Sequence, residues 1–567
     1  MRRLLLSSVL PLAFGVLLGQ AVTAQQDVPG LAGPYLAARS AVLEGNHRIA
    51  AVYFETALAA DPGNPVLISN AVFAHAALGQ WARAAVIADM LPPEASAQEL
   101  VNLVRMVNLV MAGDLAGTRA AIAAGTGAGP LIDDLAMGWI HLGEGDMRRA
   151  ADSFTAVAAD DPLADIAYTH LALARAAVGD FEGADAILSG DEFGPLSASE
   201  RSLRARVEVL VQLDRRDDAL ELLDIFTASL PDPALLALRA RILANPSPAP
   251  YEFITTAEQG LAEVFFTIAR ALSGESGSST LPLLYARAAY GIDPTHSEAL
   301  IYTAELLRAQ GQYSLAADAY AQVQPGDPQF VEAQLGRADT YFEDDRQDDA
   351  VTVLSDLARD HPDLPTVKAA LGDALRRTER CAEAVEAYTA ALDGVDITQS
   401  RYWFLYYTRG ICFENLDDFA SSEADFRQAL VLNPEQPQVL NNLGYSMVEQ
   451  RRNLDEALAM IERAVAARPD SGYIVDSLGW VLYRLGRFAE AVEPMERAVA
   501  LLPTDPIIND HLGDVYWMVG RKREAQFQWQ RALSNAPEEA DAIRIRRKLD
   551  IGLDRVLADD GGVGGTQ

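Results

Sequence analysis

Small, large and helix-breaking residues recur along this chain at a fixed interval. Prolines mark the interval most clearly, and they fall 34 residues apart in two runs, Pro294, Pro328 and Pro362, then Pro469, Pro503 and Pro537. The distance from Pro62 to Pro537 is one residue short of fourteen such intervals. A fixed period of this length indicates a stacked array of similar units, which builds a long surface and not a deep chemical pocket.

The spacing inside each unit predicts two antiparallel helices. When the closing proline is counted as position 32, position 15 is often glycine, positions 8, 20 and 27 are small, and position 24 is large. One unit has Gly486, Ala491, Met495, Ala498 and Pro503 at positions 15, 20, 24, 27 and 32. Positions 20, 24 and 27 share one helix face, glycine ends the first helix, and proline stops the second.

One such hairpin cannot bury its own apolar face, so neighbouring hairpins must stack. We therefore predict an all-α fold, a right-handed α-solenoid of about 14–15 stacked helical hairpins in one or two superhelical lobes. The expected order is a signal peptide at 1–24, an N-terminal array at 25–232 with a degenerate unit at 99–130, an irregular proline-containing junction at 233–262, a C-terminal array at 263–537, a capping helix at 538–558 and a disordered tail at 559–567.

The first 24 residues have the layout of a cleaved secretory signal peptide. Arg2 and Arg3 precede an apolar run from Leu4 to Leu18, and small residues lead to a cut after Ala24. A membrane anchor is the alternative, but the run is short for a span and is interrupted by proline and glycine. No cysteine lies near the cut to carry a lipid. We expect an exported, soluble, periplasmic protein.

The charge restricts the classes of partner. The chain has 80 acidic against 46 basic residues, a net charge of −34. Nucleic acid and anionic membrane surfaces are therefore not expected as partners. The acidity either keeps a large exposed array soluble or lines a groove for basic segments. No later stretch has about 18 uninterrupted apolar residues, so no membrane span is expected, and peripheral association with the envelope stays open.

The residues of catalytic and metal sites do not cluster in the sequence. The 7 histidines lie in different repeats, and no HExxH, phosphate-binding loop, nucleophile elbow or zinc-type cysteine pair is present. We expect no enzyme activity, no metal and no cofactor.

The best-formed unit resembles the tetratricopeptide repeat family. Its matching residues are Asn509, Leu512, Gly513, Tyr516, Ala525, Trp529, Ala532 and Pro537. The resemblance implies that the first helices line a concave groove that binds protein or peptide partners. It also implies that positions 2, 5, 9, 12 and 13 of those helices point into the groove.

At these positions the C-terminal repeats of this chain have aromatic, acidic and amide side chains. We name this set of residues the predicted strip. Its members are Phe404, Tyr407, Asn441, Tyr445, Asp476, Trp480, Tyr483, Asp510, Asp514 and Trp517. Flat aromatic rings hold apolar side chains of a peptide, and asparagine bonds its backbone in both directions. The carboxylates would favour basic segments. The alternative is that the aromatic residues only pack between neighbouring repeats.

The only two cysteines are placed close together by the repeat register. Cys381 is near the start of a second helix, and Cys412 is in the following first helix, which runs antiparallel beside it. Because an exported protein meets an oxidising compartment, the pair is a candidate disulfide. Two buried free thiols are the alternative.

A closer resemblance runs through the C-terminal repeats, from Asn442 to Tyr445, from Asp476 to Gly486 and from His511 to Asp514. These segments are similar to a bacterial cell-envelope subgroup, in which some members are outer-membrane lipoproteins. Those members are adaptors that bind a carboxyl-terminal processing protease and bring it cell-wall hydrolases. The resemblance implies an exported adaptor with such partners, without the lipid anchor. The alternative is a structural assembly factor for an envelope or polysaccharide-secretion complex, with no peptide-binding groove.

Overall fold

The computed structural model describes residues 30–91, 99–197, 199–229, 233–244, 250–272 and 280–559. In these ranges the protein consists of 31 α-helices and short 3₁₀ segments, with no strand, which confirms the all-α prediction. The signal peptide predicted at 1–24 lies outside the described residues, as do Pro246, Pro248 and residues 560–567 of the predicted tail. None of the helices in these ranges is both long and apolar enough to cross a membrane.

The chain forms two compact units, Met1–Ala333 and Gln334–Gln567. The helices of the N-terminal unit are α1 (Ala32–Leu43), α2 (His47–Ala60), α3 (Pro65–Ala77), α4 (Trp81–Ala88), α5 (Glu99–Met111), α6 (Leu115–Ala123), α7 (Pro130–Gly143), α8 (Met147–Ala158), α9 (Ala164–Ala177), α10 (Phe181–Leu188), α11 (Glu200–Gln212), α12 (Arg216–Ser229), α13 (Pro233–Ala244), α14 (Ala257–Ala271), α15 (Thr280–Ile292), α16 (Ser297–Ala309) and α17 (Tyr313–Tyr320).

Helix α18 (Phe330–Glu343) crosses the boundary between the units. The helices that follow are α19 (Gln347–Asp360), α20 (Pro365–Arg377), α21 (Cys381–Leu392), α22 (Trp403–Asn415), α23 (Phe419–Leu432), α24 (Pro437–Glu449), α25 (Leu454–Ala467), α26 (Gly472–Arg484), α27 (Phe488–Leu501), α28 (Pro506–Met518), α29 (Lys522–Ser534), α30 (Glu539–Ile551) and α31 (Leu553–Asp559).

The boundary between the compact units differs from the predicted junction at 233–262. That stretch contains α13 and the start of α14. Proline is tolerated in the first turn of a helix, and Pro233 begins α13. Helix α14 packs against α7 and α5 and so belongs to the N-terminal unit.

The small residues at position 8 allow the two helices of a hairpin to approach closely, as the sequence predicts. A Cβ atom added to Gly479 of α26 would lie 2.5 Å from Cγ of Met495 in α27. The corresponding atom on Gly513 of α28 would lie 2.4 Å from the ring of Trp529 in α29. Position 15 is also explained, because Gly486 has φ +76°, a conformation that other residues resist.

Helices far apart in the sequence pack together inside the N-terminal unit. The indole Nε1 of Trp81 donates to the carbonyl of Arg287 at 3.3 Å, and Nε of Arg287 donates to the carbonyl of Ala77 at 3.2 Å. Near the start of α2, Nε2 of His47 lies 3.1 Å from Oε1 of Gln310. A simple stack contacts only its nearest neighbours. This unit instead shares one core between its first and last helices.

The chain after Pro537 forms two helices where one capping helix at 538–558 is predicted. Gly552, with φ +82°, separates α30 from α31. Helix α30 buries the side chain of Lys548 completely. The end of the C-terminal unit is therefore held by a buried cation and not only by an amphipathic face.

Candidate functional site

The predicted strip lies on four helices of the C-terminal unit. Phe404 and Tyr407 are on α22, Asn441 and Tyr445 are on α24, and the remaining members are on α26 and α28. Each of these is the first helix of its hairpin. Helix α26 contacts both α24 and α28, so the strip is continuous across them.

The part of the strip on α22 and α24 is accessible, and we call these four residues the open part. Phe404 has 38 % of its surface exposed, and Tyr407, Asn441 and Tyr445 are partly buried. The hydroxyl of Tyr407 accepts a hydrogen bond from Nδ2 of Asn442 at 3.3 Å, which links the two helices. Within the described ranges, Oδ1 of Asn441 accepts no hydrogen bond. That oxygen is itself buried, so the accessible surface of the open part comes mainly from the ring of Phe404.

The rings of Trp480 and Tyr483 are covered by the chain itself. Trp480 is stacked between Tyr483, at 4.8 Å between centroids, and His511, at 3.9 Å. Its Nε1 donates to Oε1 of Glu449 at 2.7 Å. Only 4 % of Trp480 is exposed. This geometry matches the alternative of packing between neighbouring repeats, since neither face of the indole is available to a peptide.

The carboxylates of the strip are also engaged inside the unit. Nζ of Lys548 lies 2.7 Å from Oδ2 of Asp510 and 2.7 Å from Oδ1 of Asp514. Asp514 additionally accepts from Nε1 of Trp529 at 3.0 Å. The sequence analysis expects these acids to favour basic segments of a partner, and in the structure Lys548 of α30 already pairs with both.

Asp476 pairs with a histidine. Its carboxylate lies 3.0 Å from Nδ1 of His511, and both side chains are buried. Burial alone would lower the pKa of His511, but the charges of Asp476, Asp510 and Asp514 raise it above its ordinary value. The pair therefore favours the protonated imidazolium.

Trp517 closes the far end of the strip. A Cβ atom added to Gly552, between α30 and α31, would lie 2.8 Å from its ring. The ammonium of Lys522 lies 4.4 Å from the ring centroid. The strip is consequently open on α22 and α24 and covered on α26 and α28. Helices α24, α26 and α28 cover Trp480, whereas α30 and the turn at Gly552 cover Asp510, Asp514 and Trp517.

The structure brings the two cysteines together as unbonded, buried thiols. Burial and, to a smaller degree, a hydrogen bond with Cys381 together raise the pKa of the Cys412 thiol to about 12. Nδ2 of Asn415 also contacts Sγ of Cys381 at 3.6 Å. The contact fits the predicted register, and the disulfide itself stays a prediction.

A cavity in the N-terminal unit is a feature that the sequence analysis did not single out. It has a volume of about 430 Å³, and Arg201, Glu263 and Glu298 lie in its wall. These three residues belong to different helices, α11, α14 and α16, and no motif connects them. Over the described ranges, no group of three or more His, Cys, Asp or Glu side chains is arranged to hold a metal ion.

Sequence comparison identifies repeats along most of the array. Two models described as tetratricopeptide repeat match the chain, at residues 135–192, 369–437, 407–471 and 448–506 for the first and at residues 41–105 and 307–374 for the second. The matched segments together span more than half of the 567 residues.

Individual proteins are similar to parts of the chain. The TPR repeat-containing protein PA4667 of Pseudomonas aeruginosa is 32 % identical over 190 residues, which are 33 % of this chain and only 31 % of that protein. Among solved structures, the APC/C hetero-tetramer Cut9–Hcn1 has a TM-score of 0.37 at 15 % identity and covers 93 % of this chain and 97 % of that chain. YrrB, a TPR protein with an unusual peptide-binding site, has a TM-score of 0.28 at 17 % identity and covers 34 % and 97 %. None of these similarities identifies a partner.

Proposed function

Because the chain belongs to the tetratricopeptide repeat family, whose repeats form scaffolds for protein–protein interaction, we propose that it is an exported adaptor. Its partners are proteins or peptides that bind the open part of the predicted strip in the C-terminal unit. Repeat scaffolds of this kind are typically not enzymes.

The observation that carries the proposal is the exposed ring of Phe404 on α22, the first helix of its hairpin. Phe404 offers a flat apolar surface, and such aromatic anchors provide much of the energy at protein interfaces. Asn441, on the next first helix, is partly buried, and its amide oxygen is covered and accepts no hydrogen bond within the described chain. Tyr407 and Tyr445 add two partly buried aromatic side chains on α22 and α24. A structural spacer without a binding groove would not need an exposed aromatic side chain at this position.

The closer resemblance in the C-terminal repeats supports a finer form of the proposal. In that form the chain works in the periplasm after removal of residues 1–24, and it delivers cell-wall enzymes to a carboxyl-terminal processing protease.

The test compares one double variant and one single variant of the mature protein. A Phe404→Ala, Tyr407→Ala variant removes the open rings, and Phe527→Ala removes a ring on α29 that is 69 % exposed and lies outside the strip. We expect wild type and the Phe527 variant to capture the same partners from a periplasmic extract, and the double variant to lose them. Equal capture by all three proteins would rule out the open part as the binding site.

The second candidate is the structural assembly factor without a peptide-binding groove. The covered part of the strip favours it, because Trp480, Tyr483, Asp510 and Asp514 serve packing inside the array. This candidate predicts that the double variant keeps every partner. The same capture experiment therefore distinguishes the two functions.

A further inference from the structure

The cavity of the N-terminal unit is large enough for a ligand. Its volume of about 430 Å³ lies in the range of about 300–1,000 Å³ that is usual for small-molecule pockets. Helices α9, α11, α14 and α16 surround it, together with the turn before α18. Phe253, Phe266 and Ile301 give it apolar walls, while polar side chains converge on it.

A buried ionic network fixes one wall of the cavity. Nε of Arg201 donates to Oε1 of Glu263 at 2.9 Å, and Nη1 of Arg201 lies 2.8 Å from Oε1 of Glu298. Burial alone would raise the pKa of Glu263, but Arg201 and His296 lower it to about 2, so it stays charged. The guanidinium of Arg201 also lies over the ring of Phe253, at 4.6 Å. The wall is therefore rigid and pre-organised.

Negative charge is in excess around the cavity. Two guanidinium groups line it, those of Arg201 and Arg270. The six carboxylates that line it are Asp165, Glu200, Glu263, Glu298, Glu305 and Glu332. Arg201 and His296 each contact both Glu263 and Glu298, Arg204 reaches Glu298 at 3.3 Å, and Arg270 lies over the ring of Tyr302 at 4.8 Å. The six carboxylates still outnumber these four cationic groups, so the field inside the cavity favours a cation.

A buried amide provides a second and independent sign of a ligand. Gln329 lines the cavity and is only 3 % exposed. Its backbone is bonded, to Asp327 and to Ala333, but its side-chain amide makes no hydrogen bond within the described part of the chain. Because Gln329 lines the cavity, a ligand there can bond this amide, which both donates and accepts.

We propose that this cavity binds a ligand with an ammonium or guanidinium group on an aliphatic stem. The carboxylates receive the cation, the apolar walls contact the stem, and Gln329 bonds a polar group beside it. Two sources present this chemistry, a free polyamine and a lysine or arginine side chain of a bound peptide. The site is separate from the predicted strip and does not depend on the proposed function.

Titration calorimetry on the full mature chain tests the proposal. The probes are spermidine, a blocked Gly-Lys-Gly tripeptide, and the same tripeptide with its lysine acetylated. We expect at least one of the two cationic probes to bind in a one-to-one ratio, more weakly as salt is added, and the acetylated peptide not to bind. Binding of spermidine alone identifies a free amine as the ligand, and binding of the peptide identifies a side chain. Failure of both cations to bind overturns the proposal.

Substitutions then locate the binding site. Glu305→Gln removes a charge from the rim, and Gln329→Leu removes the buried amide at nearly constant volume. Each should weaken binding about tenfold or more, the loss expected for a hydrogen bond to a charged group. Glu182→Gln, on an exposed position of α10 outside the cavity, should bind as wild type does. Circular dichroism confirms folding of each variant, and equal affinity of all the folded variants overturns the proposal.

Discussion

Lys548 lies 34 residues after Asp514, and its fully buried ammonium is 2.7 Å from the Asp514 carboxylate. The separation equals the repeat period. Helix α30 therefore takes the place of the next first helix in the array, and Lys548 occupies the same position as Asp514 in α28 and Trp480 in α26. A cation at this position neutralises the acidic end of the predicted strip and fixes the end of the unit.

Substitution of Lys548 by methionine should destabilise the C-terminal unit strongly. The change leaves Asp510 and Asp514 buried without their cation, and removing one partner of a buried pair costs about 3–5 kcal/mol. Arg523→Met, at an exposed position of α29, is the matched control and should change the unfolding free energy by less than about 0.5 kcal/mol. Urea unfolding followed by circular dichroism measures both. Similar losses for the two variants would contradict the role of Lys548.

The repeat and its hairpins could be predicted because their signals are local. A small residue at Gly479 and a large one at Met495 belong to one hairpin, and their spacing alone places them in contact. The hydrogen bond from Trp81 to the carbonyl of Arg287 could not be predicted in this way. It joins helices 206 residues apart and depends on small rotations summed over many repeats, which no local pattern encodes.

The sequence predicts which helix positions the residues of the predicted strip occupy, but it does not predict which of their side chains are exposed. The period assigns Trp480 and Asp514 to the same position of their repeats, and they lie on the first helices α26 and α28. Lys548 lies one further period after Asp514, so the sequence already placed a cation at the position that covers the two aspartates. The packing of Trp517 against the turn at Gly552 had none, because it depends on the break between α30 and α31.

The pair of His511 and Asp476 should make stability of the C-terminal unit depend on pH. The folded-state pKa of His511 lies above its ordinary value of 6.5, because nearby carboxylates outweigh the effect of burial. The ion pair therefore makes its full contribution to the stability of the folded unit below pH 6.5. This contribution is lost as the pH rises through the folded-state pKa of His511. We expect the difference in unfolding free energy between wild type and His511→Gln to shrink from about pH 6 to about pH 9. A difference that stays constant or grows over this range would contradict the pairing.

His170 in the N-terminal unit should have the opposite dependence on pH. Its Nδ1 accepts a hydrogen bond from Nε1 of Trp139 at 3.2 Å, and burial lowers its pKa to about 4. The neutral ring stabilises the fold fully above the unfolded-state pKa of 6.5, and the contribution is lost as pH falls toward about 4. The total loss is roughly 3 kcal/mol.

Urea unfolding between pH 7 and pH 4 measures this effect. His170→Gln keeps an acceptor for the Trp139 indole but cannot take up a proton, so its stability should fall less steeply than that of wild type. The comparison with His511→Gln is an internal control, since the two histidines predict trends of opposite sign. Parallel acid profiles for wild type and His170→Gln would contradict the assignment.

Thiol titration of the protein purified from its native host without reductant tests the predicted disulfide between Cys381 and Cys412. Both thiols are buried and in contact, so the labelling reaction must be done in denaturant. If an oxidising compartment closes the bond, the protein should label at neither cysteine without reductant and at both after reduction. Closing this loop would contribute about 3–4 kcal/mol to stability, which Cys412→Ser would remove. Two thiols that label without reductant would show that the pair remains reduced, as buried apolar side chains between α21 and α22.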